Sequence, residues 1–360
     1  MTRYQALDAL RGLAIASMIL VNFPGDWSAV YAPLLHAKWH GFTPTDQIFP
    51  LFLFIVGSAM YFAFSKSDFQ FSLSAFIKIT KRTLIIFAIG LALNAFPFNA
   101  PIEELRVFGV LQRIALCYFI AANLVLLLNR KYLILSSLAI LVSYPSIFYF
   151  FAPENSYSLQ HNAALMLDLA IVGPSHLYQG FGLPFDPEGL LSTLPAVVNV
   201  IVGFEVTRLM LQYKEKIHAV RELSMIGFLV IAIGIILAPL IPINKALWTS
   251  SYVFLTSGIA IVLLALFIYL FDIKQQEKMA EPLLAYGLNP LFIYVVSWLW
   301  IGSYSFIEIT PDTNMHAFIY QTFSQITSAK FASLLFAILH VSLFWWFCKV
   351  LYQRRIVIKI

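Results

Sequence analysis

Charge is scarce in this chain. Of 360 residues only 11% are Asp, Glu, Lys or Arg, whereas 60% are hydrophobic and the mean hydropathy is +0.82. Ordinary soluble domains carry about 25% charged residues, so that class is excluded. Cysteine is almost absent. Cys117 and Cys348 fall inside or at the end of apolar runs and make neither a disulfide framework nor a metal motif. Low-complexity tracts and a recognisable soluble domain are also missing. The lack of a strong internal repeat counts against a transporter built from inverted repeats. No separate signal peptide with a cleavage site is visible, so the first apolar run is expected to remain as a span.

What the chain does have is length in its apolar runs. Crossing about 30 Å of hydrocarbon takes roughly 20 apolar residues. Ten windows qualify, near 9–24, 47–64, 79–96, 107–128, 132–151, 191–211, 223–242, 249–271, 282–302 and 329–351. Backbone groups in lipid must be satisfied within the segment, so these are helices. The expected fold is an all-α polytopic membrane bundle, a single domain over residues 1–360.

Short cytoplasmic loops collect Lys and Arg. With the N-terminus inside, eighteen of the 23 Lys and Arg fall on inner segments, from Arg3 and Arg11 through Arg354, Arg355 and Lys359. The outer side holds Lys38, Arg106, Arg113, Lys245 and Lys330. Ten spans with both termini cytoplasmic satisfy this pattern. The net charge of +5 is then an orientation signal and calls for no nucleic acid. The longest non-spanning segment, 152–190, exceeds a simple connector and is expected to be functional.

Polar groups at membrane depth are costly and are site hypotheses by default. Asp8 and Arg11 are spaced to pair on one helix face; a topology anchor would look the same. Asn22 closes the first span, as a cap or as a functional amide. The loop that follows, "FPGDWSAVYAPLLHAKWHGFTPTD", is rich in aromatic residues and belongs at the interface or in the bundle. One helical turn would put His36 and His40 on a common face, but two histidines alone are a weak zinc signal, and interfacial histidines need no chemistry at all. Arg106, Gln112 and Arg113 enter the fourth span from outside. Arg113 lies about 10 Å deeper than Arg106 along the axis and needs an anionic partner. Asp186 and Glu188 sit before the sixth span, Lys245 before the eighth, and Asn289 with Pro290 within the ninth, where Pro frees a carbonyl. Each could be a kink or a cap; together they describe one polar cavity opening outward.

The strings "LDALRGLAIASMILVN", "HAKWHGFTPTDQIFPLFLFIVG", "RVFGVLQRIALCYF", "GPSHLYQ", "FDPEGLLSTLP", "NKALWTSSYV" and "NPLFIYV" resemble the heparan-α-glucosaminide N-acetyltransferase family with its bacterial relatives. They follow the family's order over nearly the whole chain. The resemblance implies a multi-span enzyme that takes acetyl from cytosolic acetyl-CoA and delivers it to an amino sugar or glycan end across the membrane. It makes His36 the active-site histidine, Asn22 its partner at the end of the preceding helix, and Asp46 the aspartate that opens the next span. His40 stands where the lysosomal relative has asparagine. On this resemblance the chain is not expected to carry the large lumenal N-terminal domain and leading span of that relative.

The residue types suit the reaction the resemblance implies. Acetyl transfer to an amine needs a base with a pKa near working pH, which His36 supplies. Asp46 would fix its tautomer, and Asn22 would donate to the developing oxyanion. Direct transfer and an acetyl-imidazole intermediate are both open. The expected acetyl-CoA contacts are Arg113, Gln112, Lys245, Trp248 and Asn289. Trp39, His40, Asp186 and Glu188 are the expected acceptor contacts. No metal is expected. The lipid bilayer is the surrounding partner, a bacterial cytoplasmic membrane the expected location, and a homodimer an open possibility. Two alternatives stand beside this reading. A membrane O-acyltransferase also begins with an LDxxRG-like helix but has histidine at the position of Asn22. An amino-sugar permease would need no acetyl-CoA.

Overall fold

Apolar periodicity becomes helix almost throughout. The computed structural model describes residues 4–99 and 101–358, so Arg3 and Lys359 of the inner charge set lie outside the described residues. The helices are α1 Gln5–Asn22, α2 Ile48–Phe64, α3 Leu73–Ala95, α4 Val110–Leu127, α5 Arg130–Phe151, α6 Ala163–Val172, α7 Leu190–Met210, α8 Lys216–Leu237, α9 Ser250–Phe267, α10 Glu277–Gly287, α11 Pro290–Ser303, α12 Met315–Ser324 and α13 Ala329–Gln353. A π-helical turn, Ile268–Ile273, prolongs α9. A short antiparallel pair, Glu308–Thr310 with Thr313–Asn314, precedes α12.

Each of the ten expected windows contains helix, and length and composition alone qualify seven, or up to eight, of them as spans among the described residues. Seven segments qualify among the described residues: Pro44–Ser67, Val110–Leu127, Arg130–Phe151, Leu190–Met210, Lys216–Leu237, Ser250–Ile273 and Ala329–Gln353. The expected ninth span is a broken pair, α10 and α11, bent by 71° where Asn289 and Pro290 interrupt the ladder, and would make an eighth. Helices α1 and α3 are long enough, but Asp8 and Arg11 in one and Lys78, Lys81 and Arg82 in the other keep them out of the apolar set. These helices make the chain an integral membrane protein.

The chain divides into two compact units. The first comprises residues 1–36, 43–52 and 266–359. In it Asp272 accepts from the amides of Gln5 and Ala6 at 3.1 and 3.0 Å, satisfying donors that the start of α1 leaves open. Helix α1 approaches α10 so closely that a Cβ at Gly12 would strike the Leu283 carbonyl. Small residues at such crossings let backbones meet. Arg11 pairs with Asp8 at 3.1 Å, as its spacing predicts, and donates to the Gly287 carbonyl at 3.2 Å.

The second unit comprises residues 37–42 and 53–265. Helix α7 is its axis. It is largely apolar, 78% of its apolar window is buried, and α4, α5, α6 and α8 pack on it. A Cβ at Gly57 would meet the Val200 carbonyl, and one at Gly203 the Phe54 carbonyl, so α7 and residues 53–64 also touch backbone to backbone. A core of Tyr144, Phe148, Ala163, Leu165, Phe185, Leu191 and Leu247 underlies the 152–190 segment.

Candidate functional site

The first unit holds the proposed catalytic residues. Pro44 starts a short 3-10 helix, Pro44–Gln47, and Asp46 falls at its third position. The Asp46 amide donates to the Thr43 carbonyl at 3.0 Å, and the Thr43 amide donates to Asp46 Oδ2 at 2.9 Å. The Thr43 hydroxyl reaches the Leu35 carbonyl at 2.7 Å and that of Thr45 the Pro33 carbonyl at 3.1 Å, so residues 33–36 are stitched to 43–46. This stitching brings His36 Nδ1 to 2.7 Å from Asp46 Oδ1. An ionised carboxylate only accepts, so the pair requires the proton on Nδ1 and leaves Nε2 as the ring's acceptor.

Asn22 closes α1, as expected, and is half-buried, but makes no hydrogen bond to His36 or Asp46 among the described residues. Asn289 stands just before α11 and holds the chain's last described segment, its side chain donating to the Ile356 carbonyl at 2.9 Å and accepting from the Ile358 amide at 2.8 Å. Its amide is therefore engaged with backbone. His36 and His40 do not share a helical turn, because residues 35–43 are bends and extended chain. Among the described residues no group of three or more His, Cys, Asp or Glu is placed to hold a metal ion.

The second unit carries the other candidates. Trp39 Nε1 donates to the Tyr157 carbonyl at 2.8 Å, and its ring meets Phe185 edge-on at 5.4 Å. Gly41, at a φ of +121° that suits glycine alone, donates to the Ile243 carbonyl at 2.8 Å. Asn244 lies 3.3 Å from His40 Nδ1. Burial holds the His40 pKa below its usual value, so the ring favours its neutral form.

Arg106 grips Asp186 in a two-pronged pair, 2.8 Å through Nε and 2.7 Å through Nη2, and adds Glu188 at 2.7 Å. Its guanidinium also lies 4.8 Å over the Tyr178 ring. Burial would raise the Glu188 pKa, but Arg106, Arg113 and Lys245 outweigh it and hold the carboxyl below the usual range. Asp186 and Glu188, the expected acceptor contacts, both pair with Arg106.

Arg113 is fully buried on α4. It donates to the Gly189 carbonyl at 2.9 Å and to the Ser192 hydroxyl, and stands 4.9 Å over the Trp248 ring. Its Nε and Nη1 have no hydrogen-bond partner among the described residues, nor has Nε2 of buried Gln112. Trp248 is held in the left-handed region at φ +50°, with its indole N–H 2.8 Å from Asn199 Oδ1. Of the anionic partner expected for Arg113, the structure shows the Glu188 and Asp168 carboxylates acting through space, while its hydrogen-bond acceptors are a carbonyl and a hydroxyl.

Two residues escaped the sequence reading. Asp168 is completely buried, accepts from the Leu190 amide at 2.9 Å and has an unpartnered Oδ2. Burial, aided by Asp186 and opposed by the Leu190 amide and Arg113, pushes its pKa up to about 7. A lone charge inside "AALMLDLAIV" was its signal. Asn199 was marked by being the one amide in an apolar span, and it joins Trp248 to Ser257 at 3.0 Å.

Comparison with known proteins identifies relatives of the chain. A family model described as heparan-alpha-glucosaminide N-acetyltransferase, catalytic, matches residues 3–234. Human heparan-alpha-glucosaminide N-acetyltransferase is 26% identical over 372 residues, covering 87% of this chain and 55% of the human protein. The mouse protein of the same name is 26% identical over 353 residues, covering 81% of this chain and 53% of its own length. The chain therefore spans about half the length of the curated relatives it matches. It belongs to the heparan-alpha-glucosaminide N-acetyltransferase catalytic family.

Proposed function

We propose that this chain is a transmembrane N-acetyltransferase that moves acetyl from cytosolic acetyl-CoA to the amine of a glucosamine-like sugar on the outer side. The observation that carries the reading is the His36–Asp46 pair, with Asp46 anchored through Thr43. With Nδ1–H on Asp46, Nε2 takes a proton from the attacking amine as its nitrogen bonds to the acetyl carbon. The same proton can then go to the departing sulfur, so the products are an amide and a thiol. Asn22 is proposed to donate its amide N–H to the carbonyl oxygen while it carries negative charge, a contribution of about 3 kcal/mol in comparable sites.

The second unit supplies groups suited to the donor. Arg113 Nε and Nη1 and Gln112 Nε2 are buried donors that lack acceptors among the described residues, and acetyl-CoA is rich in carbonyl and phosphate oxygens. Lys245 and Trp248 are assigned to the same donor, Trp39 and His40 to the sugar. Asn289 is kept as a donor contact only through its hold on residues 356–358. Ten spans with both termini cytoplasmic, in a bacterial inner membrane, complete the reading, and its support is the charge distribution.

The test is transfer from acetyl-CoA to glucosamine by purified protein. His36→Ala should keep acetyl-CoA-dependent thermal stabilisation while transfer falls at least about a hundredfold, the usual worth of a general base. Sugar uptake without acetyl-CoA binding would overturn the reading in favour of a permease.

A further inference from the structure

The start of α7 joins two charged side chains through a single peptide group. The carbonyl of the Gly189–Leu190 peptide accepts from Arg113 Nη2 at 2.9 Å. The N–H of that same peptide donates to Asp168 Oδ1 at 2.9 Å. Hydrogen bonds arranged head to tail polarise one another in a low dielectric, so the carboxylate strengthens the carbonyl that holds the guanidinium. Position 189 also has to be glycine, since a Cβ there would collide with Asp168 Oδ2. Arg113 is fixed on its other side by Ser192 and by the Trp248 ring, and its Nε and Nη1 are left with no acceptor among the described residues.

We propose that Asp168 is the positioning residue of Arg113, acting through the Gly189–Leu190 peptide, and that the guanidinium so fixed presents Nε and Nη1 to an acceptor oxygen of the acetyl donor. The inference rests on the donor reading of Arg113 above. Among the described residues three titratable groups act on Asp168: Arg113 from α4, Asp186 from the segment before α7, and Tyr144 from α5. Burial moves the Asp168 pKa from 3.8 up to about 7. Its ionised form is therefore the costly one, and the stability cost appears as pH rises from 4 through 7. A residue kept for stability alone would not show that sign.

The test is Asp168→Asn, which keeps an acceptor for the Leu190 amide but removes the charge, measured with acetyl-CoA and glucosamine between pH 6 and 8. In the wild type the KM for acetyl-CoA should rise as pH falls through 7. In D168N it should be raised about tenfold at pH 8, the scale of one hydrogen bond to a charged group, and become independent of pH, with kcat little changed. The Tm of D168N should exceed that of the wild type at pH 8 and match it near pH 5. An unchanged KM profile overturns the proposal, as does loss of Tm at both pH values with KM intact. If the wild type shows no saturation by acetyl-CoA, the donor reading fails instead. A thermal double-mutant cycle of D168N with R113Q then decides the positioning claim, and additive effects would refute it.

Discussion

His36 and Asp46 form a pair with opposite exposure: the imidazole is 45% exposed and the carboxylate, 2.7 Å away, is completely buried. The charge that orients the ring is hidden from water, and the ring turns its reactive nitrogen away from it. Asp46 has two duties at once, since its second oxygen closes the turn at Thr43. The ring's position and its tautomer both depend on Asp46.

Asp46→Asn should separate these duties. The amide can still serve the Thr43 turn but no longer demands the Nδ1–H tautomer, so transfer should fall by about 10² to 10⁴ with the Tm nearly unchanged. Asp46→Ala should lose the turn as well, costing about a further 1 kcal/mol. Rates and thermal denaturation on the same preparations check both.

Arg106 should behave as a structural clasp. Removing it as Arg106→Met leaves Asp186 and Glu188 buried without their partner, a loss of about 3 kcal/mol or more. The triple variant R106M/D186N/E188Q should recover much of that loss, because the unpaired charges go with it. Denaturation midpoints of the two variants decide, and equal instability would refute the clasp.

The helices were legible because each span has to satisfy its own backbone and bury few charges, which leaves an unmistakable run of apolar residues. The bend between α10 and α11 was legible too, from Asn289 and Pro290. The His36–Asp46 pairing could be expected from the family's pattern, but the turn that makes it, Thr43 to Asp46, is local chemistry visible in "TPTD". Partner choice was not legible. Arg106, Arg113, Asp186 and Glu188 read together as the lining of one polar cavity with no pairing assigned, and the structure gives both carboxylates to Arg106 and puts Arg113 on a carbonyl. Which of two arginines seven residues apart meets a carboxylate depends on how the 173–189 segment folds back, and no periodicity encodes that. Asp168 was missed for the same reason: its importance lies in the peptide it faces.

Stability should depend on pH through His40 and His316. Burial holds both below the ordinary value of 6.5, and for His316 it outweighs the Pro24 carbonyl and Asp26. Each therefore binds fewer protons when folded, and its contribution is present above about pH 6.5 and lost as pH falls below it. The double variant H40Q/H316Q should show a smaller Tm loss than the wild type between pH 7.5 and 5.5. Parallel curves would show that neither ring is buried as described.

The last prediction concerns sidedness and follows from the charge distribution. Eighteen of the 23 Lys and Arg fall on segments assigned to the inner face, whereas His36, Asp46 and Lys245 fall on the opposite one. Acetyl-CoA is cytosolic, and burying its phosphates in hydrocarbon is prohibitive. Its nucleotide should therefore stay at the basic face while the long, thin pantetheine arm reaches inward. The amine would arrive from the other side, so that an acetyl group crosses the membrane although neither whole substrate does. Sealed vesicles with the protein in one orientation test this, with acetyl-CoA on one side and glucosamine on the other. Product should form only when acetyl-CoA meets the basic loops and the sugar meets the His36 side, and His36→Ala should abolish it in that arrangement. Transfer with both substrates confined to the basic side would refute the arrangement.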